Sequence, residues 1–206
     1  MISKASACKR LYIAIDICNE ISCQKLIDLV VQQFGEIDVL INNAGMNIRK
    51  QPEEYQIKEW REVIETNLTS AFMLSQIVHP HMKRNGSGKI INIGSMMSIF
   101  GSSYSVAYAA SKGGVVQMTK SMACAWGADN IQVNAILPGW IDTALTRQAR
   151  QEINGLEQSV ANRTPSQRWG ATEDLAGIAI FLASKASHFI TGAVIPVDGG
   201  YSIQGI

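Results

Sequence analysis

Tyr108 and Lys112 stand four residues apart, a spacing that sets both side chains on one face of a helix. A free tyrosine ionises near pH 10, so it shuttles protons poorly at neutral pH unless a neighbouring cation stabilises its phenolate. Lys112 is placed to be that cation, and general acid or base catalysis by such a group supplies about 10²- to 10⁴-fold. With five tyrosines in the chain, one such pairing arises readily by chance. What gives it weight is its setting, Tyr108-Ala109-Ala110-Ser111-Lys112-Gly113-Gly114, whose small residues let a helix come close to a neighbouring backbone or ligand.

Ser95 lies 13 residues before Tyr108, at the end of the apolar run Ile90-Ile91-Asn92-Ile93. There its hydroxyl can polarise a substrate carbonyl. A serine at a strand end is otherwise an ordinary turn residue, and its place beside the tyrosine helix favours the chemical role. Asn67 falls on the apolar stripe of Trp60, Val63, Ile64, Leu68, Ala71 and Phe72. A buried amide must find partners or cost about 1–3 kcal/mol, so Asn67 is either a satisfied structural group or a station in a proton relay through ordered water. His79, His81 and His188 read as surface or packing residues, and no Gly-x-Ser-x-Gly elbow supports serine-hydrolase chemistry.

These residues need elements to hold them. Leu11–Ile15, Val39–Ile41, Ile90–Ile93, Ile131–Leu137 and Ala193–Val197 are short apolar runs that read as strands. Between them Ile21–Phe34, Glu54–Lys83, Ser105–Trp126 and Glu173–Leu182 read as helices, the last opened by Thr172 as N-cap with two acids in its first turn. Alternation of this kind builds a doubly wound, Rossmann-like α/β fold on a parallel sheet. Pro196 sends the last strand to a sheet edge or its end. Asn42-Asn43-Ala44-Gly45, Gly94-Ser95 and Pro138-Gly139 close three central strands, and ligands of open parallel sheets bind beyond such carboxyl ends. The three turns therefore face one cleft.

At 206 residues the chain encloses one core, so a single dinucleotide-binding-type domain over residues 1–206 is expected. A net charge of +1, without a run of basic residues, gives no footprint for nucleic acid or an anionic membrane and points to a small-molecule partner. Cys8, Cys18, Cys23 and Cys124 form no Cys-x-x-Cys pair; four reduced thiols are expected, with neither metal site nor disulfide. The longest apolar stretch, Leu175–Ala183, is far shorter than the roughly 20 residues of a membrane span. The basic start, Met1–Arg10, lacks the apolar core of a signal peptide, so a cytoplasmic protein is expected.

Taken together, the turn Asn42-Asn43-Ala44-Gly45, Asn67 within Thr-Asn-Leu, Ser95, the Tyr108–Lys112 motif, Pro138-Gly139 with Thr143, and Val197-Asp198-Gly199-Gly200 resemble the short-chain dehydrogenase/reductase family. The likeness runs from about Leu11 to the carboxyl terminus. It implies hydride exchange between NAD or NADP and a secondary alcohol or ketone. By the resemblance, Tyr108 is the acid/base, and Lys112 lowers its pKa and grips the nicotinamide ribose. Ser95 holds the substrate oxygen and Asn67 maintains a water relay behind Lys112. Asn43, Ala44 and Gly45 line the cofactor cleft, and Pro138, Gly139, Ile141 and Thr143 contact the nicotinamide end. Asp16 matches an acid that approaches the adenine. The helices around Asn67 and Tyr108 are those through which relatives form homodimers and homotetramers.

Within the family, Arg163-Thr164-Pro165-Ser166-Gln167-Arg168-Trp169-Gly170 and Ser184-Lys185-Ala186-Ser187 resemble gluconate 5-dehydrogenases and the related deoxy-keto-gluconate dehydrogenases. Arg49 then has two readings: a partner for a sugar-acid carboxylate through paired hydrogen bonds, or a solvated surface arginine. The segment Ala144–Asn162 is expected to be a helical cover that carries substrate choice. A 3-oxoacyl-thioester reductase, which shares the catalytic residues, is the alternative enzyme, and an oligomerising fragment without activity is the non-enzyme alternative.

The chain departs from the family pattern at its start. Only glycine lets backbone approach a pyrophosphate at a helix N-terminus, yet the 17 glycines include no Gly-x-Gly-x-x-Gly or Gly-x-x-x-Gly-x-Gly. Gly86-Ser87-Gly88 precedes a strand and does not serve. Relative to the family, about 45 residues are missing before Asp16, two strands and two helices. Their loss is expected to bare one side of Val39–Ile41. A start site placed too late and a decayed gene are the favoured explanations; the third is that Leu11–Ile15 pairs directly with the next strand. The residue that selects NAD over NADP follows the second strand of such folds, so both cofactors stay in play.

Overall fold

The structure, a computed structural model, describes residues 9–205. Cys8 and most of the basic start lie outside the described residues.

Asn19 begins the first helix, α1 (Glu20–Phe34), by accepting the Ser22 N–H at 2.9 Å, and Gly35 ends it at φ +90°. After β1 (Val39–Asn42), Gln56 and Glu59 open α2 (Ile57–Ile64), the Glu59 carboxylate accepting the Gln56 N–H at 3.0 Å. α2 continues without a break through a π-helical turn, Glu65–Thr69, into α3 (Ser70–Asn85). The expected start at Glu54 is three residues early, because Pro52–Glu54 forms a separate 3₁₀ turn with proline at its head. Then follow β2 (Gly88–Ile93), α4 (Val106–Trp126), β3 (Ile131–Pro138), α5 (Ala144–Glu152), α6 (Leu156–Arg163), α7 (Ala176–Ala183) and β4 (Val194–Val197). Thr172 does not cap the last helix. It sits inside a 3₁₀ turn whose start is held by Asp174, which accepts the Ala171 N–H at 2.7 Å.

The four strands pair in the order β1-β2-β3-β4, all parallel. Pro196 lies on the edge strand β4, where its missing N–H leaves no gap in an inner ladder. One face of the sheet packs Ile90, Ile131 and Val133 against Ile27 of α1, Val78 and Met82 of α3, and Met122 and Ala123 of α4. The other packs Ile91 and Ile136 against Leu182 of α7. Helices thus cover both faces, and the doubly wound α/β architecture read from the sequence is the one found.

Leu11–Ile15 is not a strand, so its direct pairing with the next strand is overturned. Residues 11–16 join no ladder, Leu11 and Tyr12 are 46% and 85% exposed, and Asp16 instead accepts the Cys18 N–H at 2.9 Å in a turn leading into α1. A strand without a neighbour leaves its backbone to water and gains nothing from being extended. The outer edge of β1 carries no ladder partner among the described residues, and Ile41 there is 47% exposed. Cys18, Cys23 and Cys124 are free thiols. No helix among the described residues is long and apolar enough to cross a membrane.

Candidate active site

Gly94 turns the chain at the end of β2 so closely against β3 that a Cβ there would meet Leu137 at 2.3 Å. That turn delivers Ser95 to the carboxyl edge of the sheet. Ser95 Oγ accepts the Met97 N–H at 3.1 Å as a cap for the short turn Met96–Ser98, which leaves its own proton free to donate. Ser98 Oγ donates to the Lys112 carbonyl at 2.8 Å and so ties this turn to α4.

Lys112 is 4% exposed, and its ammonium donates to the Ile93 carbonyl at 2.7 Å while standing 5.7 Å from the centre of the Tyr108 ring. Burial lowers its pKa to about 8. Burial pushes the Tyr108 hydroxyl up, while a hydrogen bond from Ser95 and the charge of Arg49 pull it down. The Lys112 ammonium, bonded to the Ile93 carbonyl, faces the Tyr108 ring without a hydrogen bond to its hydroxyl.

Asn67 sits in the π turn, 2% exposed. Its Oδ1 accepts the Met46 N–H at 2.8 Å, and its Nδ2 donates to the Met46 carbonyl at 2.9 Å and to Ser111 Oγ at 3.0 Å. The amide therefore clamps the loop after β1 onto α4. A Cβ at Gly45 would lie 3.4 Å from Asn67 Oδ1 and 3.5 Å from Lys112 Nζ, so the absent side chain keeps a space open between those two groups.

Two hollows meet at Ser95 and Tyr108. The larger, about 420 Å³, is lined by Asn43, Gly45, Lys112, Pro138, Gly139, Ile141 and Thr143 as well as those two residues. The smaller, about 260 Å³, has Asn47, Arg49, Met96, Met97, Tyr104, Trp140, Ile153 and Leu156 around the same pair. Of the expected cofactor-cleft residues, Ala44 and Asp16 line neither; Ala44 is exposed in its loop and Asp16 is held in the turn before α1. Sequence reasoning missed Leu145 and Thr146, which line both hollows. It missed also the apolar wall of Met96, Met97, Ile153 and Leu156. The available signal was Thr143-x-x-Thr146 across the start of α5: Thr143 Oγ1 accepts the Thr146 N–H at 3.4 Å and Thr146 Oγ1 accepts the Thr143 N–H at 2.9 Å.

α5 and α6 lie over the smaller hollow as the helical segment expected at Ala144–Asn162. Arg150 fastens them, pairing with Asp142 and Glu157 and lying 4.5 Å over the Trp169 ring. Hydrogen bonds and charge from Arg147 and then Arg150 hold the Asp142 carboxyl below its usual range. Among the described residues no cluster of His, Cys, Asp and Glu is arranged to hold a metal ion.

Residues 2–202 match a family model described as enoyl-(acyl carrier protein) reductase. The chain belongs to the short-chain dehydrogenase/reductase family. Among its relatives in that family, a 2-dehydro-3-deoxy-D-gluconate 5-dehydrogenase of Bacillus subtilis is 45% identical over 166 residues, 81% of this chain and 65% of the relative. A 5-keto-D-gluconate 5-reductase of Escherichia coli is 42% identical over 174 residues, 84% of this chain and 68% of the relative. A gluconate 5-dehydrogenase structure from Burkholderia cenocepacia, in complex with NADP and tartrate, superimposes with a TM-score of 0.89 at 37% identity, over 93% of this chain and 74% of the other. The chain thus spans somewhat under two thirds of the length of the first of these relatives.

The family's nicotinamide cofactors can be tested against the residues present. The larger hollow, with a buried ammonium and a side-chain-free position at Gly45, fits a nicotinamide ribose. No glycine-rich turn for a pyrophosphate occurs in these 206 residues, so the fit covers that end of the cofactor alone.

Proposed function

We propose that this protein is an oxidoreductase acting with NAD or NADP on a secondary alcohol or ketone of a sugar acid. One observation carries the reading: Ser95 and Tyr108 form the shared wall of two hollows, one holding Lys112 and the other Arg49. When bound, the nicotinamide supplies or accepts the hydride. Ser95 turns its hydroxyl proton from the Tyr108 phenol to the substrate oxygen and draws charge onto it. Tyr108 gives that oxygen a proton in reduction and takes it in oxidation. Lys112 would hold the ribose, and the space over Gly45, between Lys112 and Asn67, would admit the water of a relay that returns the proton to solvent. Pro138, Gly139, Ile141 and Thr143 shape the nicotinamide end.

Arg49 turns the reading towards an acid. Its side chain is 20% exposed and lines the hollow that Tyr108 borders. A planar guanidinium suits a carboxylate. The related gluconate and keto-gluconate enzymes support the same choice. We place the protein in the cytoplasm, as a homodimer or homotetramer with a small-molecule substrate.

The second reading, reduction of a 3-oxoacyl thioester, draws on the apolar wall of Met96, Met97, Ile153 and Leu156. The deciding experiment assays the purified chain with gluconate, 5-ketogluconate and a 3-oxoacyl thioester against NADH and NADPH, with nucleotide fluorescence followed in parallel. Turnover of the sugar acids supports the proposal, and turnover of the thioester alone replaces it. A stable oligomer with no saturable nucleotide signal makes the chain a non-catalytic member of its family.

A further inference from the structure

Arg49 has a partner in the folded chain, and it is a carboxylate. Its Nη1 donates to Glu152 Oε2 at 3.3 Å, across 103 residues of sequence, and no other ion pair joins the loop after β1 to the α5–α6 cover among the described residues. Glu152 is the last residue of α5. Its second oxygen, Oε1, accepts Gln148 Nε2 at 2.7 Å, so the carboxylate is aimed rather than free to swing. Ile153 and Leu156, directly beyond it, line the hollow that holds Ser95, Tyr108 and Arg49. The base of the cover is tied separately, by Arg150 and Arg147 to Asp142. Arg49 is therefore the ion pair by which the end of α5 meets the loop after β1.

We propose that Glu152 is a built-in competitor for the substrate's carboxylate at Arg49, and thereby tempers the affinity of the smaller hollow for acids while leaving its affinity for uncharged polyols little changed. This rests on the reading that Arg49 receives such a carboxylate. The guanidinium already holds one carboxylate, and two carboxylates on one cation repel each other, so an arriving acid takes the place of Glu152 and frees it from Arg49. An uncharged polyol has no charge to set against Glu152 and leaves the pair intact. The Glu152 side chain is 42% exposed, so the pair is of the weak, salt-screened kind. A weak latch suits a role in which the ligand must win.

The test titrates sodium gluconate, and xylitol as its uncharged counterpart, into the native chain, Glu152→Gln and Arg49→Ala by calorimetry, with circular dichroism to show that each variant is folded. Glu152→Gln keeps the shape and the bond from Gln148 while removing the charge. Gluconate is expected to bind this variant about two- to fivefold more tightly than the native chain, the gain shrinking at about 0.5 M salt. Xylitol affinity is expected to change by less. If Arg49→Ala loses gluconate while Glu152→Gln binds it no better than the native chain, the latch is overturned and the carboxylate site stands. Gluconate binding that survives intact in Arg49→Ala overturns both.

Discussion

Asn67 donates to Ser111 across the joint between the π turn and α4, 3.0 Å from nitrogen to oxygen. The turn is what makes the contact possible. A π-helical turn advances a side chain out of the α-helical register, and Gly114 lets α4 come so close that a Cβ there would strike Leu68 at 2.7 Å. Asn67→Ala would leave the Met46 N–H and carbonyl without this partner. A loss of about 1–3 kcal/mol in unfolding free energy is expected, read from urea titrations, and a smaller change would mean that the loop keeps its place by other contacts.

Tyr108→Phe removes one oxygen from a half-buried ring and leaves its packing in place. Turnover should fall by about 10²- to 10⁴-fold, with substrate affinity and melting temperature close to native. Steady-state kinetics beside a thermal melt decides the matter: retained turnover removes the phenol from the mechanism.

Lys112 predicts a pH dependence with a definite sign. Its pKa is about 8 in the folded chain against 10.5 when free. Below pH 8 folded and unfolded chains both hold the proton, and the full burial penalty is present. Between 8 and 10.5 the unfolded chain holds more protons, so the stability contributed at this site rises with pH. The whole span is worth about 3 kcal/mol. Lys112→Met lacks it, so the difference in stability, native minus variant, should climb from pH 7 to pH 10 in denaturant titrations, and a flat difference would show that the ammonium is not desolvated.

Two glycines separate packing from helix propensity. At Gly139 a Cβ would lie 2.6 Å from the Asp198 Cα, a backbone atom that cannot rotate away, whereas at Gly113 it would meet nothing within 4 Å. Gly139→Ala should cost about 1–3 kcal/mol, and Gly113→Ala should gain up to about 1 kcal/mol from its place inside α4. Paired thermal melts should move in opposite directions.

Arg49→Ala tests the proposed substrate class. Loss of a hydrogen bond between charged groups, about 1.5–3 kcal/mol, corresponds to a rise of roughly 10- to 100-fold in KM for gluconate-type acids. Uncharged polyols should be little affected. Equal effects on both would assign Arg49 to holding the cover.

Period and punctuation carried much of the architecture. The apolar runs that became β1 to β4, the helices between them and the three turns at the strand ends are local patterns, each legible within some ten residues. Tyr108 and Lys112 were legible for the same reason, since helical spacing alone puts them together. Distance along the chain hid the rest. Glu152 meets Arg49 across 103 residues, and no local pattern links them. Met96 and Met97 face Ile153 and Leu156 across a hollow that exists only when α5 and α6 have closed over it. Leu11–Ile15 has the residues of a strand, yet a strand is made by its neighbour, and none pairs with it. Residue types and short-range spacing determined which groups are able to do chemistry. The tertiary structure decided which of them share a solvent-poor wall, because burial and cross-chain contact set the electrostatics of Tyr108 and Lys112, and those depend on everything folded around them.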